Sequence, residues 1–341
     1  MHAVLWIAAF AGAVLATGVL YQWIGGRRDR RRFTASGRWV TIGDGSKLYL
    51  FEMGTGEPTV LFEAGFGATH LNWRGIQEAI SKSARTVSYD RSGLGWSSRC
   101  RTSRIPSNIS VELHQMVHRA GLKPPFILVG HSFGGLVMRR YALLYPDEVA
   151  GVVLIDPMRC DQWPPFDPSK QSQIDLGRRL IRFAMPVASC GLARMMVSLL
   201  FCRASHLSDQ IVGAAGAQKK HVLTRIKTEV RKMPREVWPA VAAHWSRPGF
   251  YAGIRKHISS IPETVIEMDG VEPIRDIPVT VLTPVNTTPL SQEDLGRIAD
   301  SVQQVFARNS EHWIHLDEPD LVIDSIGAMV AAAMAETAAA D

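Results

Sequence analysis

Cysteine is scarce in this chain of 341 residues. The four present, Cys100, Cys160, Cys190 and Cys202, form no Cys-x-x-Cys pair. That excludes a thiolate zinc knot and a scaffold built from disulfides, although a single Cys190 to Cys202 bridge stays open in an oxidising compartment. Excess charge is scarce too. The formal net charge is +6, but Arg27, Arg28, Arg30, Arg31 and Arg32 against Asp29 contribute +4 of it, leaving +2 for all other residues. The basic balance is one local cluster, so nucleic acid is not an expected partner. There is no dinucleotide fingerprint, because Gly65-Phe66-Gly67 meets His70 where a third glycine is required. Repeats and low-complexity tracts are absent apart from the alanine-rich end. With 46% hydrophobic residues the chain can bury a large core, and disorder is excluded as its general state. Nothing in the composition implies a metal or an organic cofactor.

What is present begins at the first residues. Ala3 to Ile24 is a run of 22 residues without formal charge, which as a helix spans about 33 Å, enough for the hydrocarbon core of a bilayer. Trp6 stands near one end and Tyr21 and Trp23 near the other, where interfacial aromatics belong. A cleaved signal peptide has basic residues before a shorter apolar run, whereas here they follow it. Residues 1–26 therefore read as an uncleaved membrane anchor and 27–36 as a basic juxtamembrane linker whose arginines face anionic headgroups. The positive-inside rule then puts the rest of a single-pass chain in the cytoplasm.

Beyond the arginines, short apolar runs alternate with turn residues. Arg38 to Ile42 and Lys47 to Glu52 read as a hairpin around Gly43-Asp44-Gly45-Ser46. Thr59 to Glu63, Thr86 to Tyr89, Phe126 to Val129, Val149 to Ile155, Val279 to Thr283 and Gln303 to Ala307 read as strands. Leu71 to Ser81, Ser110 to Ala120 and Leu136 to Leu144 have helical periodicity. This alternation predicts an α/β fold, a mostly parallel sheet with helices on both faces. Core segments 37–156 and 278–341 flank 157–277, which shows no clear strand and reads as a helical lid. Within it, Phe183 to Phe201 is apolar apart from Arg194, with Pro186 and Gly191 as interruptions, and reads as a lid with an apolar underside rather than a second span. Val222, Ile226, Val230 and Met233 share a helical face, surrounded by Lys219, Lys220, Arg225, Lys227, Arg231 and Lys232 as a solvated basic face.

The chemistry centres on Gly130-His131-Ser132-Phe133-Gly134. The G-x-S-x-G pattern is short enough to arise by chance, but here it follows the strand Phe126-Ile127-Leu128-Val129 and precedes the helix at Leu136-Val137-Met138. A nucleophilic serine needs that strand-to-helix turn: the glycines let the backbone crowd, and the helix N-terminus favours developing negative charge.

Four stretches together resemble the α/β-hydrolase superfamily. "VLFEAGFGATHLNW" is similar to its first oxyanion loop, "SYDRSGLGWSS" to its Asp-Arg-x-Gly-x-Gly loop, "GHSFGG" to its nucleophile elbow and "HWIHLDEPDLVIDSI" to its histidine loop and last helix. The resemblance covers Gly37 to Ala328, with the insertion matching in placement only. It implies Ser132 as nucleophile and the backbone N–H groups of Phe66 and Phe133 as the oxyanion hole. Ala64-Gly65 stands where many relatives have His-Gly. His312 fills the family's histidine slot, with Glu311 replacing the usual glycine and His315 as the alternative. His131 reads as part of the elbow; His70, His114 and His118 read as structural; and His206, His221, His244 and His257 fall in the insertion. The acid is the open member. Most relatives place it after the strand Val279 to Thr283, where the first carboxylates are Glu293 and Asp294 in a helical pattern. Asp156 ends the preceding strand, a place some relatives use, and is the favoured acid ahead of Glu293, Asp294 and Asp269. As a plain structural element it would cap the chain on its way into the insertion. Asp90 and Arg91 read as a turn-forming ion-pair network.

The implied activity is a membrane-anchored serine hydrolase that cleaves hydrophobic carboxylic esters through an acyl-enzyme. Aminopeptidase, C–C hydrolase and acyltransferase chemistries share the same elbow. A rival from another class is a tethered binding protein that keeps the fold without a working triad.

Overall fold

A computed structural model describes residues 1–160, 167–201, 228–286 and 290–340. Lys219 to Lys227, with Val222 and Ile226, lie outside the described residues, as do His206, His221 and Cys202. Helix α1 (His2–Phe33) is the first element. The stretch expected as a linker, 27–36, is helical as far as Phe33, because arginine is a good helix former and cations favour a helix C-terminus. Thr34 then closes the helix by donating its hydroxyl to the Arg30 carbonyl at 2.6 Å.

Strands β1 (Arg38–Thr41) and β2 (Lys47–Met53) form the expected hairpin. They join β3 (Thr59–Glu63), β4 (Arg85–Asp90), β5 (Phe126–His131), β6 (Val149–Ile155), β7 (Val279–Pro284) and β8 (Val302–Ala307) in one sheet of order β1-β2-β4-β3-β5-β6-β7-β8. The β1–β2 and β2–β4 pairs are antiparallel, and from β4 onward every pair is parallel. The parallel strands are apolar on both sides, as a doubly covered sheet requires. Leu61, Leu128, Val152 and Leu154 face α3 (Pro106–Arg119) and α4 (Phe133–Leu144), through Leu113, Met116, Met138 and Tyr141. Their neighbours Val60, Phe62, Ile127, Val129, Val153 and Ile155 face α2 (Arg74–Ile80) and the last helix, through Ile76, Ile80, Ile326 and Met329. Adjacent residues thus enter opposite cores, following the two-residue period of a strand.

The described part of the insertion is helical: α5 (Pro168–Ser189), α6 (Leu192–Phe201), α7 (Trp238–Trp245), α8 (Pro248–Ser259) and α9 (Ile261–Met268). Asp167 caps α5, accepting from the backbone N–H groups of Ser169 at 2.7 Å and Lys170 at 3.0 Å, with Pro168 at the first helical position. Contrary to the expected interruption, α5 runs through Pro186. The break comes at Gly191, whose φ of +81° turns the chain by 93° into α6. Cys190 carries a free thiol that donates to the Val187 carbonyl at 3.3 Å. After the insertion come α10 (Gln292–Gly296), α11 (Ile314–Asp317) and α12 (Pro319–Ala340). Among the described residues α1 and α12 are each long and apolar enough to cross a membrane. The two differ in surroundings: α12 sends Val322, Ile326, Met329 and Val330 into the core, whereas the apolar run of α1 is exposed.

Helix α4 sits hard against the end of β3. A Cβ on Gly134 would press into the carbonyl oxygens of Glu63 and Ala64, and one on Gly130 would come within 2.6 Å of the Gly134 carbonyl oxygen. Both neighbours are backbone, with no side chain free to give way. Gly134→Ala is therefore expected to destabilise the protein by about 2 kcal/mol or more, read as a lowered thermal midpoint in detergent; an unchanged midpoint would mean the contact is looser than described.

Candidate active site

Ser132 alone separates the last residue of β5 from the first residue of α4. Its φ of +53° and ψ of −120° are strained for a residue with a side chain, and several backbone bonds hold it there. The Ser132 N–H donates to the Ile155 carbonyl at 3.0 Å, and its carbonyl accepts from Gly135 N–H at 2.9 Å and Met158 N–H at 3.1 Å. Phe133 opens α4, so its N–H is one of those that a helix leaves without an intrahelical partner. Phe66 stands across from it, with ring centroids 6.1 Å apart and edge to face.

Asp156 follows β6 immediately, in a left-handed conformation with φ of +40°, its N–H bound to the Leu282 carbonyl at 2.9 Å. Its Oδ2 lies 2.6 Å from Nδ1 of His312. With the carboxylate accepting, the proton sits on Nδ1 and the lone pair of the imidazole on Nε2. The other candidate acids are engaged elsewhere. Glu293 pairs with Arg297 at 2.5 Å, the Asp294 carboxylate accepts from the N–H of the α10 cap Ser291 at 2.9 Å and faces Arg159 at 3.4 Å, and Asp269 is exposed at the end of α9. His315 is buried between Trp73 and His131, with centroids 4.9 and 4.5 Å away.

His131, read as part of the elbow, and Arg91, read as part of a turn-forming network, both support the site in ways the sequence did not show. His131 points its Nε2 at the His312 carbonyl, 2.8 Å away, so the residue beside the serine steadies the histidine loop. Gly65 permits this, since a Cβ there would come within 2.8 Å of the His131 ring. Arg91 is fully buried and donates to Glu63 at 2.8 Å, to the Ala64 carbonyl at 2.7 Å and to the Gly65 carbonyl, pinning the loop that leads to Phe66. Tyr89 adds a short hydrogen bond to Glu63. Asp90 turns away to His70, at 2.8 Å from its Nδ1, and accepts from the Trp96 N–H at 2.8 Å. The expected network is thus two networks, one under the loop from Ala64 to Phe66 and one in the Gly93–Gly95 turn. Alternating carboxylates and cations at the strand ends were the available signal.

A cavity of about 1910 Å³ reaches Phe66, His312 and Trp313, and is walled by the insertion through Ile181, Ala184, Val197 and Tyr251. Among the described residues, one group has metal-ligand spacing, His114, His118 and Glu148, with ligand atoms within 4.8 Å of one another. It lies outside this cavity, and Glu148 already accepts from Tyr141 at 2.7 Å and bonds both imidazoles.

A family model described as the alpha/beta hydrolase fold matches residues 58–184. A (lyso)-N-acylphosphatidylethanolamine lipase of Bos taurus is 29% identical over 40% of this chain and 41% of its own length. A 1-acylglycerol-3-phosphate O-acyltransferase of Arabidopsis thaliana is 29% identical over 35% of this chain and 30% of its own. The chain thus spans well under half the length of both. A thermophilic esterase from Thermogutta terrifontis superposes with a TM-score of 0.60 at 20% identity, covering 88% of this chain and 99% of that one, a likeness of fold.

Around the site, burial holds four histidines neutral. It lowers His131, beside His315 and His312, and also His257 near Arg91 and Arg104; it brings His244 and His315 down to about 3. Each is depressed in the fold, so the unfolded chain binds more protons as pH falls below 6.5 and stability drops toward the folded value. One such group tilts stability by about 1.4 kcal/mol per pH unit. His315→Phe should therefore flatten the fall of the thermal midpoint between pH 6.5 and 4.5 relative to the unsubstituted protein; parallel curves would show that His315 is not held neutral.

Proposed function

We propose that this member of the α/β-hydrolase superfamily is a membrane-anchored serine hydrolase that cleaves hydrophobic carboxylic esters through an acyl-enzyme. The observation that carries the reading is the 2.6 Å pairing of His312 Nδ1 with Asp156, which leaves Nε2 as the basic nitrogen at a strained serine elbow. Ser132 Oγ attacks the ester carbonyl while Nε2 of His312 takes its proton. The backbone N–H groups of Phe66 and Phe133 receive the oxyanion. The tetrahedral intermediate collapses, the C–O bond to the leaving alcohol breaks, and the imidazolium returns the proton to that alcohol. Water activated by the same nitrogen then releases the acid. Asp156 stabilises the imidazolium throughout. Segments 37–156 and 278–341 form the catalytic core, 157–277 the lid, and residues 3–24 the anchor, with Arg27 to Arg32 among headgroups on the cytoplasmic side.

The apolar walls of the cavity favour an acyl chain as ligand. The name of the Arabidopsis relative favours a second outcome, in which an alcohol in place of water resolves the acyl-enzyme.

Ser132→Ala should abolish turnover of short aryl esters and labelling by a fluorophosphonate; retained labelling would remove Ser132 from the reaction. Asp156→Asn should lower kcat about ten-thousand-fold, while Glu293→Gln and Asp294→Asn stay within about twofold in the same assay. A large loss with either of those two would reassign the acid.

A further inference from the structure

Helix α5 is amphipathic in an unusual direction for a lid. Ile174 and Ala188 are buried and Ile181 lines the cavity, as a lid's underside should. On the opposite side Leu176, Leu180, Phe183 and Val187, spaced 4, 3 and 4 residues apart, form one exposed stripe, with Leu180 at 57% and Phe183 at 71% exposure. The stripe continues onto α6 through Leu192, Met195 and Met196. Exposed Arg179 and Arg182 flank it. A soluble monomer rarely leaves so contiguous an apolar face open.

The contacts of α1 say what covers it. The corner between α5 and α6 touches α1 backbone to backbone, where a Cβ on Gly191 would come within 2.6 Å of the Gly18 carbonyl oxygen. One turn further along both helices, Arg194 of α6 donates to Gln22 at 2.9 Å and reaches Asp29 at 2.6 Å. Gln22 in turn donates to the Ser246 carbonyl at 2.9 Å, which makes it a buried polar residue in an otherwise exposed helix. Helix α6 thus begins beside α1, and α5 meets it at that corner with a bend of 93°. If α1 crosses the bilayer, the corner from which α5 extends lies at the membrane surface. Depth agrees as well. Gly18 is six residues short of the end of the apolar run at Ile24, about 9 Å along a helix, and an interfacial helix sinks its apolar face by about 5–10 Å.

We propose that α5 is an in-plane membrane helix and that the cavity draws its hydrophobic ligand laterally from the bilayer. Val187 and Met196 both line the cavity and reach the surface, so they stand at its rim, at the corner that meets α1; Arg32 and Phe33 at the end of α1 line it too. A lipid acyl chain would pass this rim and run toward Phe66 and His312 without crossing water. The inference rests on the anchor and hydrolase readings above and adds the ligand's source.

The test uses the full chain in phosphatidylcholine vesicles with the photo-crosslinker p-benzoylphenylalanine placed singly at Phe10, Phe183 or Lys123. Lipid adducts by mass spectrometry are expected at 10 and 183 and not at 123, which lies on an exposed core loop. An adduct at 10 without one at 183, or a crosslinked dimer in its place, overturns the in-plane helix. No adduct at 10 overturns the anchor itself and the inference with it. In parallel, Leu180→Asn with Phe183→Asn should slow hydrolysis of a long-chain ester embedded in the vesicles at least tenfold while leaving a soluble short aryl ester within twofold. Equal effects on both esters, or none on either, overturn lateral uptake. If the unsubstituted protein hydrolyses neither ester, the hydrolase reading and lateral substrate uptake fail together, and the crosslinks still decide where α5 lies.

Discussion

The site depends on one close backbone approach, that of the first turn of α4 onto the Glu63–Ala64 carbonyls at the end of β3. Only glycine at 134 allows it, and it brings the elbow within reach of the loop that carries Phe66. The same end of β3 carries the buried carboxylate of Glu63, and a buried carboxylate needs a cation. Arg91 is that cation. Its guanidinium is buried, faces Glu63 and takes the Ala64 and Gly65 carbonyls as acceptors, so a single planar fork fixes the loop's path. A lysine would have to reach all three oxygens from a single nitrogen, whereas the guanidinium reaches them from two. Removing either member of a buried pair strands the other, which gives the pair its leverage over the loop.

Much of this was legible in the sequence because it is local. Strand runs such as Val149 to Ile155 announce themselves by composition, and the elbow announces itself by glycines placed around a serine between a strand and a helix. The acid could be narrowed to a few carboxylates and no further. Whether Asp156 or a carboxylate after β7 meets His312 is decided by sheet order, since β6 and β7 are neighbours and both end beside the histidine loop. Local pattern carries no record of that adjacency. The continuation of α1 through its arginines, and its docking on the insertion, were illegible for a similar reason. Gln22 looks like a tolerated polar residue in an apolar run until Arg194, 172 positions away, supplies its partner. His131 was hidden by its position, because a residue adjacent to a nucleophile is easily taken as filling in a motif.

The insertion is joined to the chemistry at its first residues. Asp156, which orients His312, is the last residue of the core before the chain departs, and its left-handed φ redirects the backbone. Two residues later Met158 donates its N–H to the carbonyl of Ser132, and Pro157 packs where a Cβ on Gly135 would fall. Ser132, Asp156 and the root of the insertion are therefore linked by a few hydrogen bonds. Displacing residues 157–158 would therefore pull on the strained serine. Further along, the insertion is tied to α1 through Arg194, Gln22 and Asp29. The insertion thus joins the membrane-spanning candidate to Ser132, Asp156 and His312, and it is also seated on the core, where Arg104 donates its N–H to Ser260 at 2.9 Å and Ser107 donates its N–H to Glu267 at 2.9 Å, so the two are mechanically coupled.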